Sequence, residues 1–102
     1  MPLLILSAGV FSQTKIIKGV VKDIHSDERI PFASLEFKKS HSGKLTDSAG
    51  QFTLALNEWP QDTLIVTYVG YQDYILPIDS AFISKAVDNV IDFNIFLERG
   101  KY

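Results

Sequence analysis

The chain has 102 residues, a formal net charge of −2, a hydrophobic fraction of 46% and no cysteine. That length holds one domain with one core, and a domain this small buries only roughly 60–65% of its unfolded surface, which leaves no room for a large internal substrate cavity. The apolar content is that of a folded chain; the small charge supplies no basic stripe for a phosphate backbone, which argues against a nucleic-acid partner; the missing thiols exclude disulfides, thiolate catalysis and cysteine-based zinc sites.

Residues 3–11 (LLILSAGVF) form an almost unbroken apolar run, too short for the about 20 residues that a bilayer span requires. The run has the length of a signal-peptide core, and Val10 and Ser12 are small enough for cleavage after Ser12, with Gln13 or a near neighbour as the mature start. No Lys or Arg precedes it. Residues 1–13 are therefore read as a signal peptide whose first residues were lost to a mis-assigned start, the alternative being a first β-strand or a frayed apolar end. No cysteine follows the run, which excludes a lipid anchor there. Residues 14–102 are read as the folded domain.

From there the pattern is that of strands and turns. Residues 15–23 (KIIKGVVKD) are rich in β-branched side chains. In FASLEFKK, Ala33, Leu35 and Phe37 alternate with polar neighbours; in QFTLAL, Phe52, Leu54 and Leu56 do the same. Residues 63–69 (TLIVTYV) are apolar on both faces, as a strand covered on each side would be. In YQDYILPI, Pro77 predicts an edge or a strand end. Residues 80–88 (SAFISKAVD) predict a short helical turn with Ser80 as N-cap, and IDFNIFLE puts Ile91, Phe93, Ile95 and Leu97 on one face. The segments HSDERIP, SHSG, DSAG and NEWPQD are turn chemistry. About seven short strands at spacings near ten residues predict an all-β, antiparallel Greek-key β-sandwich with one short helical turn.

The pieces IKGVVKD, IPFASLEFK, GKLTDSAGQFTL and DTLIVTYVGYQ, followed by a closing strand, resemble the carboxypeptidase regulatory-like domain. That is a prealbumin-like or transthyretin-like sandwich found, in its narrower form, at the N-terminus of TonB-dependent outer-membrane receptors and related envelope proteins of Bacteroidota. The resemblance covers about residues 15–97. Gly19, Val21, Asp23, Pro31, Ala33, Thr46, Asp47, Gly50, Phe52, Leu64, Gly70 and Tyr71 match the family pattern. Leu35 stands where Val is usual, and Phe32 where a small residue, often Gly, is usual. The resemblance implies a non-catalytic accessory or interaction domain of the cell envelope. Such a domain is exported to the periplasm or the outer membrane, without a cofactor, and is fused to a barrel or peptidase or bound to a protein partner. The zinc ligands of the carboxypeptidase belong to its peptidase domain, so no catalytic residue carries over. With the chain as given ending at Tyr102, the domain is read either as free-standing or as the front piece of a longer protein.

Asp47 followed by Gly50 predicts a type I turn, with the carboxylate accepting backbone N–H groups and Gly50 supplying the positive φ that exits into the next strand. Thr46 and Phe52 then flank a hairpin. The rival, a calcium loop, needs six to eight oxygen ligands, and Asp47 is alone among acidic residues between Lys38 and Asn57. Gly70 predicts a bulge or a close approach of backbones, in which case Gly70→Val hurts more than Gly43→Ala. Tyr71 is expected to bury its ring and bond a backbone group through its hydroxyl. Trp59 is expected to cap the end of the core. The alternative for Trp59 and Tyr71 is a sugar contact in a carbohydrate-binding module, which would require a row of exposed aromatics from among Trp59, Tyr68, Tyr71 and Tyr74. His25 and His41 lie in separate polar turns, with no nucleophile elbow nearby and no shared face for zinc, so neither catalysis nor metal binding is expected.

Overall fold

The computed structural model describes residues 13–100; the apolar run that carries the signal-peptide reading lies outside the described residues. Strand β1 (Lys15–Asp23) alternates as its sequence predicts, with Ile17, Val21 and Asp23 inward and Lys18 in solvent. On one edge β1 pairs antiparallel with β4 (Gln51–Leu56), setting Ile17 opposite Leu54 and Gly19 opposite Phe52. Its other edge is taken by β7 (Val90–Asp92) and β8 (Ile95–Leu97), both parallel to it. The second sheet has the order β3-β2-β5-β6, built from β2 (Ser34–Phe37), β3 (Gly43–Leu45), β5 (Thr63–Thr67) and β6 (Tyr74–Pro77), all antiparallel.

The architecture is the expected all-β sandwich, but pairing within it is not antiparallel throughout. The chain leaves β6, crosses between the sheets through the helical turn α1 (Ser80–Ile83), and returns running in the same direction as β1, which is what a crossover connection produces. The last predicted strand is also divided in two. Val90 sits opposite Ile16, the ladder breaks at Phe93 and Asn94, and the same register resumes with Ile95 opposite Val21. At the break the Phe93 N–H donates to the Lys18 carbonyl at 2.7 Å, and the Asn94 side-chain oxygen takes the Val20 N–H at 3.1 Å. Gly19 makes this possible: a Cβ there would lie 2.1 Å from the Phe93 carbonyl oxygen.

The core lies between the sheets, with Ile17, Val21, Leu54 and Ile95 of one facing Leu35, Leu64 and Val66 of the other. Pro77 ends β6, an edge strand, where its missing N–H leaves no ladder bond unmade. Strand β5 buries one face only; Ile65 on the other is half-exposed, and after Thr67 the chain leaves the sheet, with Tyr68 and Val69 exposed. The helical turn is shorter than predicted, and Asp79, not Ser80, caps it, its carboxylate accepting the Phe82 N–H at 2.9 Å.

Two turns differ from expectation. Gly50 has φ +74°, and its N–H donates to the Asp47 carbonyl at 3.0 Å, so turn chemistry closes the loop. The loop is not a hairpin, however: β3 and β4 belong to opposite sheets, and the turn carries the chain from one layer to the other. Across the open seam between these two edge strands, Lys44 donates its ammonium to the Thr53 carbonyl at 2.8 Å, occupying a group that a foreign strand would otherwise pair with. Gly70 marks neither a bulge nor a close approach. It occupies a turn closed by the Tyr71 N–H on the Tyr68 carbonyl at 3.0 Å, has φ +87°, and a Cβ would meet nothing within 4 Å. The cost of a side chain there is the backbone angle alone, whereas at Gly43 a Cβ would sit 2.5 Å from the Leu35 carbonyl oxygen.

A graded response to alanine is expected. Gly19→Ala forces the break between β7 and β8 away from the central strand β1 and costs more than about 3 kcal/mol. Gly43→Ala costs less, because the short, exposed edge strand β3 can yield. Gly70→Ala costs about 1–2 kcal/mol, the penalty of a left-handed non-glycine residue. Urea midpoints at constant slope measure the order, and a Gly70→Ala loss exceeding that of Gly19→Ala contradicts it.

Candidate functional site

The inward face of β1 ends on a charge. Asp23 is 3% exposed, at a position where the alternation calls for an apolar residue. Its Oδ1 accepts the backbone N–H groups of His25 at 2.8 Å and Ser26 at 3.0 Å. Its Oδ2 accepts the Tyr71 hydroxyl at 2.6 Å and lies 3.4 Å from Nε of Arg99. The Arg99 guanidinium also lies over the Tyr71 ring, 5.2 Å from its centre. The Tyr71 bond first, then the two backbone donors and the Arg99 charge, hold the Asp23 carboxyl far below the usual aspartate range against the opposing effect of burial. Conversely, the bond to Asp23, followed by burial, raises the Tyr71 hydroxyl above its ordinary value. The cluster is an ionised carboxylate that accepts three hydrogen bonds and faces a guanidinium. It joins three distant segments: the end of β1, the turn at residues 68–71 and the segment after β8. Backbone bonds from Gln72 to Glu98 at 2.8 Å and from Gly100 to Gly70 at 2.9 Å close the same junction.

The remaining motif residues meet one another in the same way. Thr46 is buried, and its hydroxyl accepts the Ala33 N–H at 2.8 Å while donating to the Ile30 carbonyl at 2.9 Å. These are the two groups that an ordinary four-residue turn would bond directly, so the hydroxyl is inserted into the turn formed by Pro31 and Phe32. Phe32 has φ +60° there and is 58% exposed. Gly50 is buried against β1, its carbonyl accepts the Val21 N–H at 2.9 Å, and the Arg29 Cβ, the Ile30 nitrogen and the Val21 carbonyl oxygen each lie 3.1 Å from where a Cβ would stand. Asp47 Oδ1 accepts the N–H groups of Ala49 and Gln51, each at 2.9 Å. Phe52 is in the core. Asp62 clamps another turn, accepting from Lys39 at 2.9 Å, Ser40 at 3.2 Å and Thr63 at 2.7 Å.

Of the candidate ligand contacts, Trp59, Tyr71 and Tyr74 pack against the core cluster, and Tyr68 is the exposed one of the four aromatics. The Tyr71 hydroxyl goes to a carboxylate, not to the backbone group that its sequence context predicts. His25 and His41 are exposed in separate turns, His41 beside Glu36 at 3.3 Å. Among the described residues no three His, Cys, Asp or Glu side chains are grouped as metal ligands. Arg99 carried no sequence signal: its partners are far away along the chain, and a lone arginine near a terminus reads as surface. The inward placement of Asp23 was the available clue.

A small two-layer β domain with a structural polar cluster is the class that these features define. The family profile of the CarboxypepD_reg-like domain matches residues 17–99, and the chain belongs to that family. Similarity extends to the TonB-dependent receptor SusC of Bacteroides thetaiotaomicron, 34% identical over 73 residues, covering 72% of this chain and 7% of that protein. The chain thus spans a small fraction of the relative's length. In fold it is similar to the catechol 1,2-dioxygenase of Acinetobacter radioresistens, with a TM-score of 0.63, 16% identity and coverage of 93% of this chain and 55% of that one. It is also similar to the major pilin SpaD of Corynebacterium diphtheriae, with a TM-score of 0.53, 13% identity and coverage of 89% and 32%. At these identities the two structures share the fold alone.

Because the folded-state pKa of Asp23 is depressed below 3.8, its contribution to stability is present above that value and lost as pH falls toward the folded-state pKa. Asp23→Asn is therefore expected to destabilise the domain at neutral pH, with the difference from wild type shrinking steadily below about pH 4. Denaturant titrations at several pH values measure this, and a difference that stays constant into acid refutes the charged-cluster account. Asp47→Ala is expected to cost about 1 kcal/mol through two lost turn bonds. The thermal midpoint of the wild-type chain is expected not to move with added calcium; a calcium-dependent rise would identify the loop as a metal site.

Proposed function

We propose that this chain is a non-catalytic accessory module of the bacterial cell envelope, serving as the N-terminal part of a larger outer-membrane or periplasmic protein. The observation that carries the reading is the match to a TonB-dependent receptor at 34% identity over a stretch that is 7% of that receptor's length. A segment of that size is a module of the receptor, and family membership adds that the module is of the regulatory-like kind. The chemistry of the polar cluster supports a structural role, since the buried Asp23 carboxylate is engaged by the Tyr71 hydroxyl, two backbone N–H groups and the Arg99 charge. Partners of such a module are the protein domains fused to it or envelope proteins in contact with it. Residues 1–13 then act as its export signal. A sugar-binding role lacks the row of exposed rings that it requires, because three of its four candidate aromatics pack against the core.

Sequencing the locus across both ends of the reading frame, with fractionation of cells expressing a C-terminally tagged product, tests this. The expected result is a frame that continues past Tyr102 into barrel or peptidase sequence and a product in the envelope fraction. A stop after Tyr102 with a periplasmic product removes the fusion and leaves a module acting in trans. A cytosolic product overturns the reading altogether.

A further inference from the structure

The geometry points to a mechanical property: the domain resists tension applied between residue 13, just before β1, and the segment after β8, at residues 98–100. The argument rests on the directions of three strands. Strands β1 and β8 are hydrogen-bonded neighbours running parallel, Val21 opposite Ile95 and Asp23 opposite Leu97. The leading end of β1 and the trailing end of β8 therefore lie at opposite ends of one ladder. Tension on the two ends drags these strands past each other along their axes, and all the ladder bonds between them are loaded at once. β7 adds a second parallel ladder in the same register, with Ile16 opposite Val90, and the Asn94 side chain bridges the gap between the two by taking the Val20 N–H.

Both ends of this ladder are secured against peeling, which would otherwise let the bonds fail one at a time. At the exit, the Ile24 N–H donates to the Leu97 carbonyl at 2.9 Å and the Gln72 N–H to the Glu98 carbonyl at 2.8 Å. Gly100 donates to Gly70 at 2.9 Å, and Arg99 is held by the buried Asp23. At the other end the Ile16 N–H donates to the Asn89 carbonyl at 2.8 Å, and the Asn89 amide meets the Gln13 side chain. The pairing of β1 with β4 has the opposite character. Lys15 sits opposite Leu56, so force applied at those adjacent ends opens the ladder like a zipper, one bond after another.

The absence of cysteine in the natural chain allows both directions of pull to be compared in one protein. The variant Gln13→Cys/Glu98→Cys, attached through its thiols in an optical or atomic-force instrument, loads β1 against β8. The variant Gln13→Cys/Asn57→Cys loads β1 against β4. All three positions are exposed. The expected result at matched loading rate is an unfolding force roughly two- to threefold higher in the first geometry, reflecting bonds loaded together against bonds loaded singly. Equal forces, or a lower force in the first geometry, overturn the proposal. Handles fused to the two ends of the otherwise unaltered chain repeat the first geometry without internal substitution, so a folding defect in a cysteine variant does not decide the matter. The inference rests on strand topology and is independent of the envelope assignment, which the locus sequence and fractionation test separately.

Discussion

Strand β1 carries backbone donors and acceptors along two edges, and in the middle of a sheet none of them can be left without a partner. The antiparallel ladder to β4 serves one edge. The other is served by a segment far along the chain, which has to arrive parallel, keep register from Ile16 to Asp23, and pass closely over Gly19. Where the backbone ladder fails, at Val20, the Asn94 side chain stands in for the missing carbonyl. The position of the chain's exit, the placement of Arg99 and the closing of the polar cluster all follow from this one requirement.

The cluster around Asp23 shows how a carboxylate can be buried in so small a domain. An ionised group removed from water needs its hydrogen bonds replaced in full. Here two backbone N–H groups, a phenol and a guanidinium replace them. Each donor comes with a constraint: the first two tighten the turn after β1, the phenol fixes the turn after β5, and the guanidinium ties in the segment after β8. The charge therefore specifies where three loops meet, a task that an apolar residue in the same place could not perform.

Much of this was legible in the sequence because strand alternation is a local signal. Ala33, Leu35, Phe37, Phe52 and Leu54 are inward as their spacing requires, and Pro77 ends an edge strand because it has no N–H to give. What escaped was relation across distance. The Asp47 turn was readable as chemistry, but whether it joined paired strands or two sheets depends on partners outside the segment. Gly19 and Gly70 look alike in sequence, yet one is required by a neighbouring backbone and the other by its own φ. The parallel return of the last strand depends on a crossover whose direction no window of residues contains. The family pattern listed Asp23, Tyr71, Thr46 and Ala33 as separate matches; the fold shows them to be two bonded pairs.

The hydroxyl inserted into the turn at residues 30–33 also bears on how this sequence can vary. Phe32 occupies a left-handed conformation that costs a non-glycine residue free energy, and that conformation is held by Thr46, which bonds the groups on both sides of it. The two positions are therefore epistatic. A glycine at position 32 would adopt the conformation without strain and lessen the dependence on Thr46, whereas with phenylalanine present the threonine becomes the residue least free to drift.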